Sequence, residues 1–400
     1  MTVLFISWLL SLIISPPNAC NNERIAGTYP VEVINGYGSG IYSAGDTVHI
    51  FSESREELFR SWYGDSELLS SNNWHTWFIM PPRKVKFFGQ YASAAAPELR
   101  LEYIKGRDLP KPVYYQFPKG HKGLVFLFHG SGGSAAQFEG SFESLYFIRE
   151  LLNAGYAVAI TECEEATLKK DTNGDGHRRW NYLPADIQRN VDYANIHIIK
   201  DAFLKEGLID KSTPLFAAGM SNGGAFAGLI APALNFNAAI SFCAQAPPLM
   251  ALKNKTPVMY AMQSEDSHDA VGKAGNLQAY KNHSLLKTAG ICSRYIENPR
   301  SPLYPQRFAR LPSISVPLSE TIFREIRGNG FLDDKNYLKI SGREIAGKFR
   351  ANPSAFPAIR KLTIAQMAFI AEQLDCSFAD HRMFSDLSKS AIQFLDDQCN

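Results

Sequence analysis

The sequence predicts an α/β protein in which a mostly parallel sheet carries helices on both faces, preceded by a small all-β unit. Three observations lead there. From about residue 99, short continuous apolar runs such as "GLVFLFHG" (123–130) alternate with helical patterns, as expected of strands buried on both faces. Residues 28–91 instead show short alternating strands broken by glycine turns. Between them "ASAAAPE" (92–98) reads as a linker of small residues.

Taken in order, the 400 residues open with "VLFISWLLSLII" (3–14), an apolar block of signal-peptide length followed by "SPPNAC". We therefore expect residues 1–19 to be a signal peptide and the mature protein to be exported, either secreted or periplasmic. Cleavage near Ala19 would leave Cys20 at the new N-terminus. A lipid anchor at Cys20 is then an alternative, although Pro17 stands where such signals carry leucine. No later stretch is long and apolar enough to span a bilayer. The formal net charge of +2, without a long basic run, gives no footing for nucleic-acid binding. No C-x-x-C spacing occurs among the six cysteines, so a zinc site has no support.

The all-β unit is bounded at 23–92. Its "YPVEVINGYGSGIYSAGDTVHIFSE", "FRSWYGDSE" and "WHTWFIMPPRKVKFFGQY" run from a Gly-Ser-Gly turn through "GDTV" to a final strand. That pattern resembles bacterial surface-protein repeats of the internalin B-repeat type, in a single copy. Alternation in "TWFIMP" turns Phe78 and Met80 toward the core and Trp77 and Ile79 outward, with Trp74 nearby. The tryptophans either form a sugar- or polymer-binding face or dock against the larger unit.

Within 99–400, "KPVYYQF" reads as the opening strand and "GLVFLFHG" as a buried one. A helix over 135–154, strand "YAVAITE", a helix over 187–206 and strand "PLFAAGM" follow. Next come a helix over 222–234 and strands "AAISFCA", "PVMYAMQ" and "CSRYIE". Residues 316–376 read as a helical insertion, before a last helix near 384–398.

The chemistry begins at "GMSNGG" (219–224), where Ser221 stands between glycines as a strand gives way to a helix. A sharp turn there crowds its neighbours, which is why a nucleophile elbow, G-x-S-x-G, needs residues without a Cβ. A serine hydroxyl becomes a nucleophile only when a histidine takes its proton, and that histidine needs a carboxylate to orient it. The acid belongs in "MQSEDSHDA", where Glu265, Asp266 and Asp269 compete and Asp266 is preferred. Of the later histidines, His268 lies in the acid's own loop and His283 on a helix face, so His381, before the last helix, is the expected base. Backbone N–H groups in "FHGSGGS" (128–134), from Ser131 first and Gly132 second, would pair with the N–H of Asn222 as an oxyanion hole. The same glycine run lacks the lysine and spacing of a P-loop.

"HGSGG", "GMSNGG" and the following aspartate and histidine resemble the α/β-hydrolases. They are similar to secreted carboxylesterases of the polyhydroxybutyrate depolymerase and feruloyl esterase kind, over about residues 99–400. The resemblance implies an exported serine hydrolase that cleaves carboxylic esters with a Ser221–His381–Asp266 triad and needs no cofactor. Its partner would be an ester substrate, small or polymeric (a plant polysaccharide ester or a polyester). A peptidase or amidase on the same triad, or a non-catalytic surface-binding protein, are the other readings. His381 lies roughly eighty residues beyond "CSRYIE", farther than the family usually places its base.

Three smaller expectations complete the reading. Asp171, Asn173 and Asp175 in "DTNGDG" have the spacing of half a calcium loop, but Tyr182 stands where a bidentate carboxylate belongs, so an Asx-rich turn without metal is preferred. Trp180 either lines the substrate pocket or packs in the core. Cys376 and Cys399 flank the last helix and are expected to form a disulfide.

Overall fold

The computed structural model describes residues 27–53, 56–247 and 254–398. The expected signal peptide, Cys20 and Cys399 lie outside the described residues. No helix among the described residues is long and apolar enough to cross a membrane.

Among the described residues, seven strands build the N-terminal unit: β1 (Thr28–Ile34), β2 (Gly36–Tyr37), β3 (Gly40–Ser43), β4 (Thr47–Ser52), β5 (Leu58–Gly64), β6 (His75–Ile79) and β7 (Val85–Ala92). They form a sheet of order β3-β1-β7-β5 and a second of order β2-β4-β6. Between the sheets lie Val31, Val48, Ile50, Phe59, Trp62, Phe78 and Phe87. Phe78 and Met80 are buried, and Ile79 is 60% exposed, as strand alternation requires.

The larger sheet contains β8 (Arg100–Lys105), β9 (Pro110–Gln116), β10 (Leu124–Phe128), β11 (Ala157–Thr161), β12 (Leu215–Met220), β13 (Ala238–Phe242), β14 (Val258–Gln263) and β15 (Ser293–Asn298). Its order is β15-β14-β13-β12-β10-β11-β9-β8. The strands from β10 onward run parallel, and β9 is antiparallel to both β8 and β11. The fold is α/β. β8 escaped the sequence reading because it is an edge strand with mostly exposed side chains, so it carries no apolar run.

Side chains alternate between two cores, one on each face. Leu124, Phe126 and Phe128 of β10 face one way, toward α4 (Val191–Lys205), α5 (Asn222–Ala233) and α6 (Gly272–Thr288). Val125 and Leu127 face the other, against α1 (Ala135–Gly140), α2 (Phe142–Asn153) and α10 (Ser388–Asp397). Burial on both faces is why these strands read as continuous apolar runs. The predicted 135–154 helix is in fact two, because the Ser141 side chain caps a new start by accepting from the Ser144 N–H. The short α3 (Glu164–Leu168) lies between β11 and α4.

After β15 come α7 (Val316–Gly328), α8 (Gly342–Ala351) and α9 (Ile364–Phe378). They close over a core of their own that includes Leu303, Phe308, Ile322, Ile345, Phe369 and Leu374. Ser341 with Glu344 and Thr363 with Gln366 form capping boxes that fix where α8 and α9 begin.

The N-terminal unit docks on this segment and on the chain before α10. Trp74 is buried, with the Arg310 guanidinium 4.0 Å and the Arg307 guanidinium 5.2 Å from its ring centre. His75 Nδ1 lies 2.7 Å from Asp386 Oδ2, and Asn73 Nδ2 donates to Ser390 Oγ. Of the two readings of the tryptophans, Trp74 takes the docking one: its ring is spent on the interface, and Trp77 is half-buried against His49 and His75.

The cysteine expectation is also corrected. Cys376 is a free, buried thiol whose Sγ lies 3.6 Å from the Met383 carbonyl, whereas Cys292 is disulfide-bonded. Cys376 lies on the inward side of α9, where its sulfur belongs to the sheet core.

Candidate active site

The parallel sheet brings its loops together at the C-terminal ends of β10, β12 and β14, and three chemistries meet there. Ser221 directly follows β12. Its backbone sits at φ 56°, ψ −125°, a conformation costly for any residue with a side chain. Two glycines make the turn possible. A Cβ on Gly219 would lie 2.3 Å from the Gly223 carbonyl oxygen, and one on Gly223 would lie 2.3 Å from the His129 carbonyl oxygen. The turn lets α5 start against the end of β10 and holds the Ser221 hydroxyl above the sheet.

His381 Nε2 lies 2.8 Å from Ser221 Oγ, and His381 Nδ1 lies 2.7 Å from Asp266 Oδ2. Asp266 is fully turned in: its Oδ1 accepts from the backbone N–H groups of His268 and Gly272. Those bonds orient the carboxylate before histidine arrives. Of the three acidic residues, it is Asp266 whose carboxylate meets His381, while the Glu265 N–H donates to the Ala379 carbonyl and Asp269 lies on the cleft wall. The loop carrying His381 is set by the end of α9, where Ala379 adopts a left-handed φ of 60° and turns the chain so that His381 faces β12. His283 sits on α6 against Tyr280 and Tyr295, away from the serine. Cys243 Sγ lies close behind Asp266 and His381, but it donates to the Arg382 carbonyl, and burial drives its thiol pKa well up. The His381 nitrogens are both engaged within the serine–histidine–aspartate chain, so this grouping is not arranged to hold a metal.

The loop after β10 is shaped by His129. Its Nδ1 lies 2.7 Å from the Gly130 carbonyl, while its Nε2 accepts from the Cys163 N–H. Burial keeps this imidazole neutral, with its pKa lowered to about 4. The Gly132 N–H donates to the Arg178 carbonyl at 2.7 Å, so it is already used. The Ser131 N–H has no partner among the described residues, and Ser131, Ser221 and Asn222 line one cleft of about 520 Å³.

Trp180, assigned to the substrate pocket or to the core, takes the second place. It is 1% exposed, stacked on Phe226 at 4.6 Å, and donates Nε1–H to the His129 carbonyl. It lies beneath the site and does not line the cleft. The Asn222 side chain pairs with the Trp180 backbone through both its amide oxygen and its amide nitrogen, tying the elbow to the 177–182 loop. Residues that sequence reasoning missed line the cleft instead: His177, Arg179 and Tyr182 from that loop, Gln245, and Arg343 from α8. Only the basic pair before Trp180 hinted at this, and Arg343 gave no signal because the segment carrying it is far away in sequence. His268 stacks on His381 at 4.3 Å; burial and that neighbour lower its pKa. In "DTNGDG", Asp171 accepts from the Gly174 and Gly176 N–H groups, and Asp175 pairs with Arg179. The carboxylates are occupied within an Asx turn that places Arg179 at the cleft.

No protein-family model matches the chain, and no curated protein matches it. Among solved structures, it is similar to a dienelactone hydrolase from Anabaena variabilis, with 19% identity and a TM-score of 0.40, covering 52% of this chain and 88% of that one. It is also similar to Est1E from Butyrivibrio proteoclasticus, with 14% identity and a TM-score of 0.37, covering 50% and 89%. A third likeness is to XC6422 from Xanthomonas campestris, described as an α/β serine hydrolase without lid, with 13% identity and a TM-score of 0.33, covering 52% and 88%. Likenesses this distant carry no functional argument, which has to come from the site.

Proposed function

We propose that the protein is a serine hydrolase that cleaves carboxylic esters through an acyl-enzyme. One observation carries the reading: a strained serine whose hydroxyl is hydrogen-bonded to a histidine that is itself hydrogen-bonded to a buried aspartate. Asp266 holds the Nδ1–H tautomer of His381, which leaves Nε2 free to accept the Ser221 proton. Ser221 Oγ then attacks the ester carbonyl. The resulting oxyanion is held by the Ser131 and Asn222 N–H groups, the latter at the N-terminus of α5. His381 returns the proton to the leaving alkoxide, and water, activated by the same nitrogen, releases the acid. This chemistry needs no cofactor.

The proposal extends to export through residues 1–19 and to a substrate that is either a small ester or a polymeric one. The test is covalent labelling with a fluorophosphonate together with hydrolysis of p-nitrophenyl acetate. Labelling on Ser221 with turnover supports the reading. A folded protein that shows neither is a non-catalytic binding protein, and one that labels but cleaves only amides is a peptidase.

A further inference from the structure

A second cleft, of about 660 Å³, opens between the N-terminal unit and the segment 302–337. Stacked rings form one wall: Tyr304 lies 4.2 Å from Phe51 and 5.3 Å from Tyr37, each pair within 28° of parallel. Tyr337 stands on the other side, edge-on to His49 at 6.0 Å. At the rim, Lys335 pairs with Asp46 at 3.2 Å, neutralising both charges.

His49 is 6% exposed and reaches this cleft from a relay. The Asp386 carboxylate can only accept, so His75 Nδ1–H donates to it, at 2.7 Å. With the His75 ring neutral, its Nε2 is then an acceptor, to which His49 Nδ1–H donates at 3.0 Å. His49 Nε2 is left as a lone pair without a partner among the described residues. Burial and the neighbouring His75 lower the His49 pKa to about 3, so the ring stays neutral. The Ser39 hydroxyl, also on this cleft, is engaged with the Val33 backbone.

The occupant must lay an apolar face on tyrosine rings and also donate a hydrogen bond. A purely apolar ligand would leave the buried acceptor unpaired, which is costly. An anion would meet a lone pair instead of a donor. We infer that this cleft binds a sugar residue of a glycan, its ring face against Tyr337 and one hydroxyl donating to His49 Nε2. The site is separate from the Ser221 cleft and does not rest on the ester reading.

Isothermal titration of the full chain with xylohexaose, cellohexaose and chitohexaose tests it. At least one should bind with a dissociation constant below about 1 mM. Tyr337→Ala, which removes a half-buried wall, and His49→Phe, which keeps the ring but not the acceptor, should each weaken binding about tenfold. Any turnover of p-nitrophenyl acetate should stay within about twofold. Should His49→Phe fail to fold, Tyr337→Ala alone decides. Absence of binding by all three sugars overturns the inference, and so does binding that Tyr337→Ala leaves unchanged.

Discussion

Asp380 Oδ1 accepts both the N–H and the hydroxyl of Ser267, at 2.9 and 2.8 Å, and at 2.7 Å the N–H of His381. One buried carboxylate thus joins the loop carrying Asp266 to the loop carrying His381. Under the proposed mechanism Asp380 acts through Asp266 and His381 and is a positioning residue. Asp380→Ala should lower kcat by about 10- to 100-fold with KM little changed, because the His381 geometry loosens while the cleft walls remain. Asp380→Asn keeps one acceptor and should recover part of the rate. Steady-state kinetics on both variants check this, and a change confined to KM would contradict it.

Ser221→Ala and His381→Ala should each reduce ester turnover by about a thousandfold or more, and the double variant little further, since the members act as a unit. Ser131→Ala should cost far less, because only its backbone N–H is used. If His283→Ala inactivated a folded protein while His381→Ala did not, the base would be misassigned.

Gly223→Ala should destabilise the fold by about 1–3 kcal/mol and abolish activity together, since its Cβ would collide with backbone carbonyls of β10 that cannot swing aside. Thermal melting and p-nitrophenyl ester turnover on one preparation test the pairing. Full activity in a destabilised variant would separate the elbow from the chemistry.

Histidine 129 predicts a pH dependence of stability. Its folded pKa, about 4, lies below the 6.5 of an exposed histidine, so between those values the unfolded chain binds the extra proton. Its neutral form therefore supports the fold fully above pH 6.5, and that support is lost as pH falls toward 4, by about 3 kcal/mol at most. His129→Gln should flatten this part of the curve. The difference in unfolding free energy between wild type and variant, followed from pH 8 to 4.5, reads the effect directly. Buried carboxylates with raised pKa, such as Asp192 near 6, slope the opposite way, which is why the difference is measured.

Removing residues 27–94 should lower the melting temperature and all activities together. It strips His75 from Asp386 and Trp74 from Arg310, and uncovers the apolar surface packed beneath them. The point variant His75→Ala, which leaves the Asp386 carboxylate buried without that donor, should cost about 3–5 kcal/mol. A truncated protein as stable and active as the full chain would show that the unit is an independent module.

Much of this was written in local sequence. Buried parallel strands announce themselves as apolar runs, because both of their faces are covered. The elbow does so through Gly219 and Gly223, because no other residue fits where backbones nearly touch. Chain order then narrowed the acid and the base to Asp266 and His381 among their neighbours. What local sequence lacked was whatever depends on distant segments meeting. Trp180 could line a pocket or fill a core, and only the packing of Phe226 and the His129 carbonyl around it decided. Trp74 could face solvent or a partner, and Arg310, more than two hundred residues later, settled that it is covered. Cys376 was paired on proximity along the chain, but the facing of α9 turned its sulfur into the core. Arg343 reaches the cleft, and His49 joins Asp386, through contacts between elements that share no local pattern. Periodicity and steric demand act over a few residues and are legible there, whereas the direction a side chain finally faces is fixed by what the rest of the chain packs against it.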